Sequence, residues 1–193
     1  MSATVKEIIE KYANSNVDSI IIEESEIPNI DLYMDQVTTF MDQVLQSYKR
    51  NDHDKILTKT MINNYTKAKI LPPPVKKKYT KTHIMLLIII YHLKSILSIR
   101  DIETLLSPIL PTAQDSNTEK ITQVYICVTK IQQATYENMK TSANGGRESL
   151  LQELEIVQTV EDETLKKILL ILLLTARAYA EKRLAESILD HDF

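Results

Sequence analysis

Glycine is nearly missing from this sequence. Only Gly145 and Gly146 occur among 193 residues, whereas glycine makes up about 7% of an average protein. Phosphate-binding loops and dinucleotide-binding turns need glycine where the backbone approaches the ligand or takes a positive φ. The sequence therefore argues against most nucleotide-dependent enzymes. Its abundant Leu, Ile, Lys, Glu, Met and Gln favour helices.

The sequence also has little cysteine, and its histidines are not spaced like metal ligands. The single cysteine, Cys127, cannot form an internal disulfide, which fits a reducing compartment, so we expect a cytoplasmic protein. The four histidines lack the spacing of metal ligands. Two of them, His83 and His92, lie in an apolar segment, and we expect these two to cap or pack a helix. Nucleophile motifs and paired carboxylates are lacking too. We therefore expect no enzymatic activity and no cofactor.

Long hydrophobic runs are missing as well. The most apolar segments, residues 85–90 and 168–174, fall far short of the roughly 18 residues that a membrane span needs. We expect both segments to form buried helices, and we expect no membrane partner.

Periodic apolar residues and capping signals predict an all-α chain. Apolar residues at spacings of three and four predict a helix over 30–48, whose seam fits packing on a core better than a coiled coil. A short helix is expected over 4–12, and others over 58–69, 80–97 and 98–108. The residues expected to cap the last three are Thr58, Thr80 and Ser98, the last in capping-box spacing with Asp101.

The second half of the chain has the pattern of a helical bundle. Ser116 and Glu119 have capping-box spacing and predict a helix to about residue 140, followed by helices over 147–158 and 161–189. Such helices suit an antiparallel bundle that dimerises the chain or regulates it.

A segment with two prolines and several small polar residues, 107–117, is the expected linker between domains. The predicted parts are an N-terminal segment (1–28), a middle domain (29–107) and a C-terminal helical domain (118–193).

Positive charge is concentrated in residues 49–81. This segment holds ten basic and two acidic residues, a net charge of +8, whereas the remainder of the chain carries −11. A positive segment in a negative protein is typical of a partner that is rich in phosphate, although a solvated lysine surface has the same composition.

A helical wheel favours the phosphate-rich partner. Residues 59–69 place Met61, Ile62, Tyr65 and Ala68 within one arc of about 120°. The opposite arc carries Lys59, Thr60, Asn63, Asn64, Thr66 and Lys67. These side chains can donate to phosphates or base edges, and asparagine can bond adenine through two atoms at once.

The segment 58–106 resembles the DNA-binding domain of the MerR family of bacterial regulators, a winged helix-turn-helix. Tyr65 and the run 70–73 match the end of that family's recognition helix, and Lys76-Lys77-Lys78-Tyr79 is similar to its wing. The segment also closely resembles a bacterial family of unknown function in which Leu-Thr-Lys-Thr-Met-Ile-Asn-Asn-Tyr and Lys-Lys-Lys-Tyr recur.

The MerR resemblance implies a DNA-binding transcriptional regulator whose recognition helix is 59–69 and whose wing is 72–79. We expect a homodimer on double-stranded DNA, because two half-sites raise the affinity of a small domain. The predicted DNA-binding residues are Thr58, Lys59, Thr60, Asn63, Asn64, Thr66, Lys67, Lys76, Lys77, Lys78 and Tyr79. The alternative is a non-enzymatic helical interaction module whose basic segment docks an acidic protein or RNA. A small-molecule effector is compatible with this sequence, but no residue pattern indicates one.

Overall fold

The computed structural model describes residues 21–51, 53–112, 117–141 and 147–192. Contacts divide the chain into a first unit, Ile22–Ile126, and a second unit that includes Cys127–Phe193. These limits differ from those of the domains at 29–107 and 118–193, which stay a prediction. The expected helix at 4–12 and the cap at Ser116 lie outside the described residues.

The described elements confirm the predicted all-α class, since the strands form only one two-stranded sheet within the described ranges. The first unit holds β1 (Leu32–Tyr33), α1 (Met34–Val44), a 3-10 turn (Gln46–Tyr48), α2 (Lys59–Lys67), β2 (Lys78–Tyr79), α3 (Lys81–Leu93) and α4 (Ile99–Leu106), after a first 3-10 turn (Glu24–Glu26). Then follow α5 (Thr118–Thr141), α6 (Arg147–Gln158) and α7 (Glu163–Asp192).

Helix α3 is the centre of the first unit. All of residues 83–91 are buried, which confirms the prediction for the apolar run 85–90. The helix ends at Leu93 rather than at residue 97, and Lys94, just beyond it, donates from Nζ to the Ile56 carbonyl at 3.1 Å. This bond ties the end of α3 to the segment that leads into α2.

Helix α1 is shorter than the sequence predicted. Ile30, expected at the start of its apolar seam, is 68% exposed, and the helix begins only at Met34. Residue 30 lies in a bend before β1, so it is not on the helical seam. Val37 and Met41 are fully buried, in agreement with the predicted packing of the seam on a core.

Helix α4 begins as the sequence predicted. Ser98 Oγ accepts the backbone N–H of Asp101 at 3.2 Å, and Asp101 Oδ2 accepts the backbone N–H of Ser98 at 3.3 Å. These two bonds are the reciprocal pair of a capping box.

A buried ionic cluster joins α6, α7 and the part of α5 that lies in the second unit. Glu153 on α6 has no exposed side-chain surface, and its Oε2 accepts from Arg177 of α7 at 2.9 Å. Its Oε1 accepts from Asn138 of α5 at 3.1 Å and from Ser149 of α6 at 3.3 Å. A buried carboxylate needs such partners to offset its desolvation, so the cluster fixes how the three helices meet.

Helix α7 is only half buried along its apolar run. The expectation that residues 168–174 form a buried helix is right for Ile168, Leu169, Leu172 and Leu173. It is wrong for Leu170, Ile171 and Leu174, which are exposed on the opposite side. Among the described residues no helix combines the length and the hydropathy that a membrane span requires.

Candidate nucleic-acid interface

Helix α2 has one buried and one polar exposed face. Ile62 is fully buried and Tyr65 nearly so, whereas Met61 and Ala68 are half-buried. The exposed face carries Lys59, Thr60, Asn63, Asn64 and Lys67, with Thr66 half-buried beside them. The structure therefore confirms the arcs of the helical wheel, and no residue of the exposed face is acidic.

The start of α2 is fixed by the cap that the sequence predicted. Thr58 Oγ1 accepts the backbone N–H of Met61 at 3.1 Å. The buried residues Leu57 and Ile62 stand at the two positions of a hydrophobic staple. This bond orients the start of α2, and Thr58 itself is half-buried.

The end of α2 is a Schellman motif that has lysine in place of glycine. Lys69 has a φ of 57°, its N–H donates to Thr66, and the N–H of Ile70 donates to Tyr65, both at 3.1 Å. Glycine normally takes this left-handed position because it has no Cβ. The helix therefore stops at Lys67, two residues before the predicted end.

A two-residue hairpin stands beyond the three prolines. The N–H of Val75 donates to the carbonyl oxygen of Lys78 at 3.0 Å, and the N–H of Lys78 donates to the carbonyl oxygen of Val75 at 2.9 Å. Lys76 and Lys77, both exposed, form the tip with φ values of 49° and 66°. Positive φ at both central residues is the requirement of a type I′ turn, for which Asn-Gly is the favoured sequence.

A short sheet holds this hairpin against the start of α1. Strand β2 pairs antiparallel with β1, so that Leu32 faces Tyr79 and Tyr33 faces Lys78. The ammonium of Lys78 lies 5.4 Å from the centre of the Tyr33 ring. Tyr79, predicted to contact DNA, is only 2% exposed. It supports the hairpin from the core, and we leave it out of the contact surface.

His83 ties the hairpin to α3. Its Nδ1 accepts the backbone N–H of Thr80 at 3.1 Å, and its Nε2 lies 3.4 Å from the Pro73 carbonyl oxygen. A neutral ring with hydrogen on Nε2 satisfies both contacts. Burial lowers the pKa of His83, which favours that neutral form. The expectation that His83 caps or packs a helix is thus confirmed.

Acidic side chains neutralise part of the basic segment. Lys59 forms a salt bridge with Asp35 of α1, Lys81 forms one with Glu24, and Lys49 pairs with Asp42 at 2.8 Å. Within the described ranges no salt bridge involves the other exposed lysines at the end of α2 and at the hairpin tip. These are Lys67, Lys69, Lys76 and Lys77. The sequence does not indicate this pairing of Asp35, because its approach to Lys59 depends on how α1 packs on α2.

The comparisons match these elements to one family. Residues 22–127, more than half of the chain, match the family described as Domain of unknown function (DUF1836). The chain belongs to the DUF1836 family. This match confirms the predicted membership of a bacterial family of unknown function. No MerR or helix-turn-helix family matches. No curated protein and no solved structure matches the chain.

The DUF1836 match and the first unit have nearly the same limits, residues 22–127 and Ile22–Ile126. All of the predicted contact residues lie inside this DUF1836 domain. Lys69 is the member that sequence reasoning missed, because nothing in a glycine-poor sequence indicates which lysine takes a left-handed backbone. Lys69 and the two lysines of the hairpin tip share an unusual backbone conformation. Three of the four non-glycine residues with positive φ in the described chain are lysines.

Proposed function

We propose that the DUF1836 domain binds double-stranded DNA and that the protein is a DNA-binding transcriptional regulator. The exposed face of α2 would enter the major groove, and the hairpin tip at Lys76 and Lys77 would contact the phosphate backbone. The observation that carries the proposal is the set of left-handed lysines, Lys69, Lys76 and Lys77.

A left-handed backbone costs a residue with a Cβ roughly 1–2 kcal/mol. Glycine at these three positions would avoid that cost. Strain of this kind tends to be kept where a side chain serves a function, and the shared property of these side chains is positive charge. They flank the exposed face of α2 on the chain, at its C-terminal end and at the next turn, as expected of a phosphate-binding surface.

The dimensions of α2 suit the major groove. An α-helix with its side chains is about 10–12 Å in diameter, and the major groove of B-DNA is about 12 Å wide, so it admits a helix such as α2. Asn63 and Asn64 are both exposed midway along the helix, where their amides would reach base edges. Lys67 would contact phosphate from the same face, so the surface combines base readout with backbone binding.

The first experiment measures binding of the full chain to a labelled random-sequence duplex by fluorescence anisotropy over a range of salt concentrations. We expect Lys76→Glu with Lys77→Glu to reduce the affinity more than tenfold. The matched control, Lys120→Glu with Lys130→Glu, makes the same charge change at two exposed positions of α5 and should retain most of the affinity. An equal loss in both variants, or no DNA binding by the unaltered chain, would refute the proposal.

A second experiment separates DNA from RNA and general charge binding. Double-stranded RNA has a narrow major groove that side chains do not read, so it should compete poorly with the DNA duplex. Selection from random DNA should enrich a sequence for the unaltered chain, and Asn63→Ala with Asn64→Ala should relax that preference by about 1–3 kcal/mol at the contacted bases. Preferred binding of RNA would favour the alternative of RNA docking.

A further inference from the structure

Helix α7 is apolar on both sides in its first half. Every residue from 168 to 174 is Ile or Leu, which gives two full turns of apolar surface. The inward side is buried, but Leu170, Ile171 and Leu174 are 39%, 40% and 51% exposed. A helix that is apolar all round is normally buried all round, so this outward face has the composition of a covered surface.

Charged residues flank this face symmetrically. Lys167 lies seven residues before Leu174, and Glu181 lies seven residues after it. At 100° per residue both fall on the outward side with the three exposed apolar residues. Lys167 and Glu181 are both exposed, and within the described ranges neither forms a salt bridge. The face therefore reads positive, apolar and negative along the helix.

We infer that α7 pairs with α7 of a second copy of this chain in an antiparallel dimer centred on Leu174. A twofold axis through Leu174 brings Lys167 of each copy opposite Glu181 of the other. It also places Leu170 opposite Ala178, a half-buried small residue, and the two Leu174 side chains opposite each other. The same surface on both partners is what a twofold homodimer requires.

A parallel pairing lacks this match, because it sets Lys167 against Lys167 and Glu181 against Glu181. The charges therefore favour the antiparallel partner over other arrangements of the same helix. The segment from Lys167 to Glu181 is about 21 Å long, and one pair of helices of that length buries less surface than the standard interface of about 1,600 Å². We therefore expect reversible association at micromolar concentrations. This inference does not rest on the proposed DNA binding.

The first test is analytical ultracentrifugation of the full chain without DNA, from about 1 to about 200 µM. Leu174→Glu places two like charges on the axis and should yield a monomer throughout. Lys167→Glu and Glu181→Lys should each weaken association about five- to tenfold, and the double swap should restore it. Circular dichroism will show whether each variant keeps its helices. A folded monomer of the unaltered chain, or a double swap no better than the single reversals, would overturn the inference.

The second test fixes the direction of pairing by cysteine crosslinking. Facing helices are 8–10 Å apart, so Leu174→Cys should form an intermolecular disulfide under mild oxidation. The control Ala185→Cys lies eleven residues from the axis, about 33 Å from its counterpart in the antiparallel dimer. It should stay uncrosslinked. The native Cys127 is buried. Crosslinking through residue 185, or none through residue 174, would overturn the antiparallel arrangement, whatever the result of the DNA experiments.

Discussion

Replacing the hairpin tip by Lys76→Asn with Lys77→Gly should stabilise the protein and weaken DNA binding at the same time. Both lysines hold a left-handed backbone, with φ values of 49° and 66°, at a cost of roughly 1–2 kcal/mol each. Asparagine tolerates this region better, and glycine has no Cβ but loses about 0.5–1 kcal/mol in backbone entropy. We expect a net gain of about 1 kcal/mol in the free energy of unfolding, about fivefold in the equilibrium constant.

The same change removes two positive charges from the proposed phosphate contact. Each phosphate contact contributes about 0.9 to the slope of the logarithm of affinity against the logarithm of salt concentration. Two contacts therefore contribute about 1.8 to the slope. With no effect of the two lysines at 1 M salt, their loss lowers the affinity at 0.1 M salt about 60-fold. A protein that is more stable and yet binds DNA more weakly cannot have lost binding by unfolding.

Urea denaturation followed by circular dichroism measures the stability, and fluorescence anisotropy at four or more salt concentrations measures the slope. The control is Lys120→Asn with Lys130→Gly, which removes the same charge from the exposed side of α5 and should destabilise that helix. A loss of stability in the hairpin variant would contradict the type I′ turn. A stable variant with an unchanged slope would contradict the phosphate contact.

Three further predictions concern stability and are tested by chemical denaturation. Thr58→Ala should cost about 1 kcal/mol, because α2 loses its N-cap. Arg177→Met should cost about 3–5 kcal/mol, because it leaves the buried carboxylate of Glu153 without its cation, and adding Glu153→Leu should recover part of that loss. Burial lowers the pKa of His92 from 6.5 to about 4, so the unfolded chain binds a proton that the folded chain does not. Stability should therefore be constant above pH 7 and fall by about 3 kcal/mol between pH 6.5 and pH 4. His92→Gln should flatten this dependence, and an unchanged pH profile in that variant would contradict the assignment.

Local signals in the sequence predicted the elements of the DUF1836 domain well. The hydroxyls of Thr58 and Ser98 mark helix starts through bonds to residues three positions away, and such bonds depend only on the local chain. The buried and exposed faces of α2 follow from the 100° turn of a helix. Element types and helix faces were therefore accessible without tertiary information.

Features that depend on long-range contacts were not predicted. Tyr79 looks like the end of a basic wing in the sequence, but pairing of β2 with β1 turns it into the core. The left-handed lysines gave no signal, because sequence rules assign such positions to glycine or asparagine. The exposed half of α7 was missed because an apolar run does not reveal how many sides of a helix find partners.

Because Lys59 forms a salt bridge with Asp35, we expect Lys59 to contribute almost nothing to the salt dependence of DNA binding in the proposed complex. A phosphate that takes Asp35's place frees a cation from the DNA, but the carboxylate that is left behind attracts a cation in turn. The net number of ions released at this position would be close to zero. The salt dependence of binding would then count fewer phosphate contacts than there are lysines on the surface. Asp35→Asn would make the count larger while adding no new contact, so Asp35 acts as a built-in competitor that limits adhesion to DNA.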